Sequence, residues 1–271
     1  MDHQLLALDM DGTVLTSEKV ISKRTQAAIR AALDAGKDVF FATGRSPVEM
    51  VEHLAAFPAM RYAMYLSGAI VRDLRTGEDI HSIHIPPNIV ENIMAVARRR
   101  DAFLAIYAGD SVYVEKTMRG RAEEYGCKCF EALYEQCAVW VEDIQETARE
   151  HCHEVHKINF YCGSEAEWRR CAAELKDLPV SRASGIPNNE EISPLGVDKG
   201  AALTAMCQKL GVDISRAIAV GDQGNDLTMI RAAGLGVAMG NATEEVKAAA
   251  KAVTADCDHD GVAEVIEKYL L

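Results

Sequence analysis

The sequence predicts an α/β protein, a doubly wound parallel sheet interrupted by an inserted α+β domain. Three observations carry this. At both ends of the chain, short apolar runs alternate with segments of helical periodicity, the pattern of strand–helix–strand units. Three of those runs stop at polar, glycine-containing turns: Asp9-Met10-Asp11-Gly12-Thr13, Thr43-Gly44-Arg45 and Gly221-Asp222-Gln223-Gly224-Asn225-Asp226. The long middle stretch has a different, mixed pattern that opens after a hairpin signal and Pro86-Pro87-Asn88.

Taken in order, Leu5-Leu6-Ala7-Leu8 reads as a buried strand. Ser22 caps a helix with an apolar face at Ala27, Ala28, Ile29, Ala32 and Leu33, ended by Gly36. Val39–Ala42 is a second strand, 48–57 a helix and Tyr62–Leu66 a third strand. The runs 69–74 and 80–83 flank Arg75-Thr76-Gly77-Glu78 as a hairpin. In the insert, helices are expected at 88–100, 118–125, 142–150 and 165–175, and strands at 103–107, 111–115, 155–161 and 179–183. Glu190-Glu191-Ile192-Ser193-Pro194 reads as the connection back. Helices at 200–210, 227–233, 243–250 and 262–270 and strands at 217–220 and 235–239 restore the parallel alternation. The expected boundaries are 1–84 and 189–271 for the core and 85–188 for the insert.

Composition narrows the function. At 271 residues, about half of them apolar, the chain can bury a large core without disulfide or metal staples. The net charge of −12, with no basic stripe, argues against a nucleic-acid partner. The eight cysteines follow no disulfide or zinc spacing, which suits a reducing cytoplasm. No apolar run has the length of a membrane span, and the first residues lack a targeting pattern.

Asp9 and Asp11 stand two apart at a strand end, so both carboxylates can converge beyond it. In open parallel sheets that edge is where ligands bind. Like charges crowded there stay ionised only around a cation, and oxygen ligands point to magnesium. The ends of parallel strands share one edge, so Asp222 and Asp226 add to this negative charge. Thr43 and Gly44 offer a hydroxyl and open backbone N–H groups, a cradle for an anion. Lys199 opens a helix after an irregular segment and supplies positive charge. Calcium loops starting at Asp9 or Asp222 fail at their glycine and glutamate positions, which hold Val14, Val20, Leu227 and Ala233. Gly234-Leu235-Gly236 with Gly240 is one residue off the dinucleotide fingerprint and follows a helix.

These four stretches, in this order, resemble the four motifs of the haloacid dehalogenase-like superfamily, and the insert resembles the cap of its Cof-type (class IIB) members. The resemblance covers essentially the whole chain and implies a Rossmann-like core. It further implies a magnesium-dependent phosphatase of small phosphorylated metabolites, with sugar phosphates the expected class. Asp9 would be the nucleophile and Asp11 the acid and base. Asp9, the backbone carbonyl of Asp11 and Asp222 would hold magnesium. Thr43, Gly44, Lys199 and Asn225 would bind the phosphoryl group, and Asp226 would orient Lys199 or the metal ligands. The cap would close over the site and choose the leaving group. The chain departs from the family pattern at Ser67 and Gln223, where asparagine is common. The metabolite and the oligomeric state are not legible. A phosphomutase, or a dedicated sugar-phosphate phosphatase, shares the same motifs. A non-catalytic phosphometabolite sensor would sit on the same fold but normally lacks one of the two aspartates.

Other candidates have plainer readings. His151-Cys152-His153 with His156 fits no standard metal spacing. Arg98-Arg99-Arg100 reads as a solvated helix end that complements the helix dipole, with contact to an anionic substrate the alternative. Arg45 is left between a structural role and a phosphate contact.

Overall fold

The computed structural model describes residues 3–271. The chain forms two compact units. One comprises the described residues up to Arg45, then Glu52–Ser82 and Val197–Leu271; the other comprises Ser46–Val51 and Ile83–Gly196. The first unit begins with β1 (Leu5–Leu8), β2 (Asp38–Ala42), β3 (Tyr62–Tyr65), β4 (Ile70–Asp73) and β5 (Asp79–Ser82). The second carries β6 (Ala102–Ala108), β7 (Ser111–Glu115), β8 (Val139–Val141), β9 (Val155–Cys162), β10 (Val180–Ala183) and β11 (Asn189–Pro194). The chain then returns to the first unit with β12 (Ala217–Gly221), β13 (Leu235–Ala238) and β14 (Ala252–Val253).

In the first unit the strands form one eight-stranded sheet in the order β14-β13-β12-β1-β2-β3-β4-β5. Neighbours from β14 to β3 are parallel, and β4 and β5 add an antiparallel edge. β1 is central: Leu5 stands opposite Asp38 on one side and Ala217 on the other. Every residue of β1 is buried, because helices cover both faces of a parallel sheet. That is why the run is apolar throughout rather than alternating. The helix Lys23–Asp34 is capped as the sequence suggests, with Ser22 Oγ accepting the Thr25 N–H at 3.1 Å. Asp198 caps Lys199–Leu210 by accepting the Ala201 N–H at 2.8 Å.

In the second unit six strands form the order β10-β11-β9-β6-β7-β8. Helices Pro87–Ala97, Ile144–Glu150 and Glu165–Leu175 pack on one face, where Leu104, Ile106, Ile158 and Phe160 join their apolar stripes in one core. On β6 and β9, Phe103 and Tyr161 belong to the alternating set that faces away from that core. Phe103 stacks on Tyr134 and meets Tyr161 edge to face, and the Tyr134 and Tyr161 hydroxyls bond each other at 2.8 Å.

The insert departs from expectation in three places. No helix forms over 118–125; Gly120 and Gly126 take positive φ of 72° and 70°, which ends helical geometry on either side. Ala122 and Tyr125 are buried three residues apart, the spacing that suggested a helix. A helix forms instead at Glu131–Cys137, followed by the short β8. Glu190–Pro194 is not a connector but part of β11, with every second residue buried, paired with β9 and β10. The return to the first unit therefore falls after Gly196 rather than after 188, and Ser46–Val51 groups with the insert. Among the described residues, no helix is long and apolar enough to cross a membrane.

The junction of helices Lys199–Leu210 and Leu227–Ala232 tolerates no side chain at Gly200, where a Cβ would lie 2.5 Å from backbone atoms of Thr228. Alanine gains up to about 1 kcal/mol in helix propensity, but overpacking against backbone costs about 1–3 kcal/mol. Gly200→Ala is therefore expected to lower stability by about 1–2 kcal/mol, read from the urea unfolding midpoint at unchanged slope.

Candidate active site

The carboxyl edge of the parallel strands gathers the predicted residues of the first unit. Asp9 follows β1, Thr43-Gly44-Arg45 follows β2, Leu66-Ser67-Gly68 follows β3, and Asp222 follows the last residue of β12. Asp9 is placed by its own backbone, whose N–H donates to the Val220 carbonyl at 3.0 Å, continuing the β1–β12 ladder.

Lys199 is fully buried, and its Nζ donates to Asp9 Oδ1 and to Asp226 Oδ1, each at 2.6 Å. The second Asp226 oxygen accepts the backbone N–H groups of Asp222 at 2.9 Å and Gln223 at 3.0 Å. Both Asp226 oxygens are thus occupied, and the residue fixes the lysine and the turn that carries Asp222. Asp222 Oδ1 accepts from Thr13 Oγ1 at 3.1 Å, and its Oδ2 accepts from Gln223 Nε2 at 3.2 Å. Gly12 has φ +82°, and a Cβ there would sit 2.5 Å from Asp222 Oδ2. Only glycine allows the two turns to approach this closely.

Ligand atoms of Asp9, Asp222 and Asp226 all lie within 4.8 Å of one another. Burial pushes the Asp9 carboxyl up to about 7; Lys199 pulls it down, while Asp226 and Asp222 add to the rise. Burial and Asp226 likewise raise Asp222. Burial alone would lower Lys199, but Asp9 and Asp226 outweigh it and hold the ammonium charged. Three carboxylates against one ammonium leave an excess negative charge in a dry pocket. A small hard cation with oxygen ligands fits that excess. Asp9 has its second oxygen to offer and Asp222 is met only by neutral side-chain donors, whereas Asp226 is committed to Lys199 and to two backbone N–H groups.

Asp11 sits apart from this cluster. Arg45 grips it with both ends of the guanidinium, Nε to Oδ2 and Nη2 to Oδ1, each 2.8 Å, and Lys19 Nζ adds a contact to Oδ1 at 3.0 Å. Burial would raise its carboxyl, but Arg45 and then Lys19 hold it down at about 2. Two carboxylates two residues apart thus occupy opposite environments, the arrangement that divides acid–base roles.

Thr43 is buried; its Oγ1 accepts the Arg45 N–H at 3.1 Å, and its carbonyl accepts the Ser67 N–H at 2.9 Å. Leu66, Ser67 and Gly68 all take positive φ, of 49°, 56° and 104°. Left-handed backbone at two consecutive non-glycine residues is strained by roughly 1–2 kcal/mol each, and such strain collects where a site needs a fixed backbone. Gly44 lies beside this turn, its Cβ position 3.5 Å from Ser67 Oγ. Asn225 is exposed in the short turn Gly224–Asp226.

Sequence reasoning passed over two residues here. Asn241 follows β13 on the same edge; its Nδ2 donates to the Gly12 carbonyl at 2.8 Å and approaches Asp222 Oδ2 at 3.5 Å. Gly240-Asn241 after an apolar run was the available signal. Lys19, in the turn after the first aspartates, carried none. In the second unit, His156 donates from Nδ1 to the Ile83 carbonyl at 2.9 Å, and His151 stacks on Tyr113 and pairs with Glu154.

A family model for haloacid dehalogenase-like hydrolases matches residues 6–266. The 5-amino-6-(5-phospho-D-ribitylamino)uracil phosphatase YcsE of Bacillus subtilis is 30% identical, over 100% of this chain and 97% of the relative. An HMP-PP phosphatase of Klebsiella pneumoniae is 27% identical, over 98% of this chain and 96% of the relative. A crystal structure of a haloacid dehalogenase-like hydrolase from Bacteroides thetaiotaomicron superposes with a TM-score of 0.87 at 27% identity, covering 98% of this chain and 99% of that one.

The geometry makes two expectations measurable. In chelator-treated protein, Lys199→Met leaves two buried carboxylates facing each other and is expected to destabilise the fold by about 3–5 kcal/mol, read by urea unfolding. Asp11 is expected to titrate near 2 by carbon-detected NMR and to move toward the ordinary value near 4 in Arg45→Ala. Because its folded value lies below the unfolded one, its contribution to stability is present above about pH 4 and is lost as the pH falls toward 2.

Proposed function

The chain belongs to the haloacid dehalogenase-like hydrolase family, is a phosphatase of small phosphorylated molecules, and from that premise we propose a magnesium-dependent reaction through an aspartyl-phosphate. The observation that carries the proposal is the buried Lys199 ammonium clamped between Asp9 and Asp226 beside Asp222.

Asp9, Asp222 and the Asp11 backbone carbonyl would hold magnesium, which supplies positive charge to the transferring phosphoryl oxygens and to the attacking carboxylate. Lys199 neutralises Asp9 and lies within reach of the same oxygens. Asp9 attacks phosphorus, and the bond from phosphorus to the leaving oxygen breaks as Asp11 gives that oxygen a proton. Asp11, now ionised, takes a proton from water as the water oxygen attacks phosphorus. The acyl-phosphate bond breaks, freeing phosphate and restoring Asp9. The resting clasp of Arg45 and Lys19 favours ionised Asp11, the form needed for this second step. The acid step therefore needs Asp11 loosened from that clasp. Thr43, Gly44 and Asn225 complete the phosphate contacts in this reading, and positioning plus charge neutralisation supply most of the catalysis.

Sugar phosphates are the substrate class we favour, with the inserted domain choosing among leaving groups. Cytoplasmic residence belongs to the same proposal, supported by eight cysteines that form no disulfide.

The deciding experiment is phosphate release from a panel of sugar phosphates and phosphorylated heterocycles, with magnesium and with chelator. We expect metal-dependent turnover, and a loss of at least ~1,000-fold in Asp9→Asn, roughly 4 kcal/mol of transition-state stabilisation. Turnover that survives chelation or Asp9→Asn would overturn the mechanism. Phosphate passed to a second sugar hydroxyl, with none in solution, would make the protein a mutase.

A further inference from the structure

On the helical layer of the second unit lies a groove of about 370 Å³. It runs between the helices Pro87–Ala97 and Ile144–Glu150. Val90, Met94 and Ala148, all buried, belong to its apolar lining together with the half-buried Cys152. Arg98 and Arg149 are the lining cations, and Glu91 is the lining carboxylate.

The two arginines stand out by what they lack. Every other arginine of the second unit is ion-paired with a carboxylate. Arg98 instead donates from Nε to the neutral Gln145 Oε1 at 2.9 Å, and Arg149 has no carboxylate partner among the described residues. In a chain of net charge −12, two uncompensated guanidiniums at one apolar groove are an unusual concentration of positive charge. Gln145, which holds Arg98, and Arg149 are one turn apart on the second helix, about 6 Å along its axis, so both arginines border the same groove. Glu91 holds the net excess to a single positive charge.

We propose that this groove binds a small monoanion with an apolar body, a medium-chain or aryl carboxylate. The volume lies at the low end of the roughly 300–1,000 Å³ that small ligands occupy, too little for a peptide helix. The apolar lining takes the hydrocarbon, and the planar guanidiniums match a carboxylate with paired donors. A dianion would meet Glu91 without a matching second excess charge.

The test uses the full chain and octanoate as probe, with octan-1-ol as the uncharged control, followed by calorimetry. Saturable octanoate binding with a dissociation constant between about 10 μM and 1 mM is expected. Octan-1-ol and the exposed-side-chain double variant Arg98→Gln/Arg149→Gln should each bind at least about tenfold more weakly. Octanoate should also slow alkylation of Cys152 by N-ethylmaleimide while leaving the exposed Cys129 unaffected, a readout that needs no substitution. No saturable binding, equal affinity for octan-1-ol, unchanged affinity in the double variant, or unprotected Cys152 would each overturn the proposal.

Discussion

A single buried ammonium ties the first unit together. Lys199 has no exposure to solvent, and an isolated charge in that position would be prohibitively unfavourable. It is sustained by Asp9 at the end of β1 and Asp226 just beyond β12, each 2.6 Å away. Those two residues follow neighbouring strands, and the lysine opens a helix capped by Asp198. Register of β1 against β12, the position of the helix and the electrostatics of the pocket are therefore one condition. A one-residue slip of β1 would displace Asp9, and one of β12 would displace Asp226; either would leave the lysine half-paired.

The same site shows how charge is sorted over a few ångströms. Asp9 shares a dry pocket with two other carboxylates and is raised. Asp11, two residues on, lies at the wetter margin and is lowered by Arg45 and Lys19. Both leave the end of β1, and their different surroundings then keep their chemistry distinct. Gly12, directly after Asp11, supports this division, since its left-handed backbone and missing side chain let Asp222 approach.

Much of this was written in the chain in readable form. Asp9, Thr43 and Asp222 announce themselves because a parallel strand is an apolar run with no alternation, and a polar residue at its end has only the shared edge to occupy. Lys199 was legible because an acidic edge needs a cation and few lysines open a helix. Asn241 obeyed the same rule after β13 but lacked a charge to draw notice. Lys19 was hidden, because its contact with Asp11 depends on how the turn over Thr16–Val20 folds. The insert was harder, since a buried Ala122 and Tyr125 imitate helical spacing while Gly120 and Gly126 break it. β11 was missed because its alternating burial is carried partly by Asn189 and Glu190, polar residues that the core accepts only with partners in place.

The position of β1 has a consequence for how the protein is born. One flank of β1 meets β2 within a few dozen residues, but the other waits for Ala217–Gly221. At roughly 5–20 residues per second of synthesis, that wait is on the order of 10–40 s. Throughout it the emerging chain presents an apolar, unpaired strand edge, while the whole intervening domain is made. How long that edge stays open is set by translation speed across the insert rather than by the stability of the finished fold.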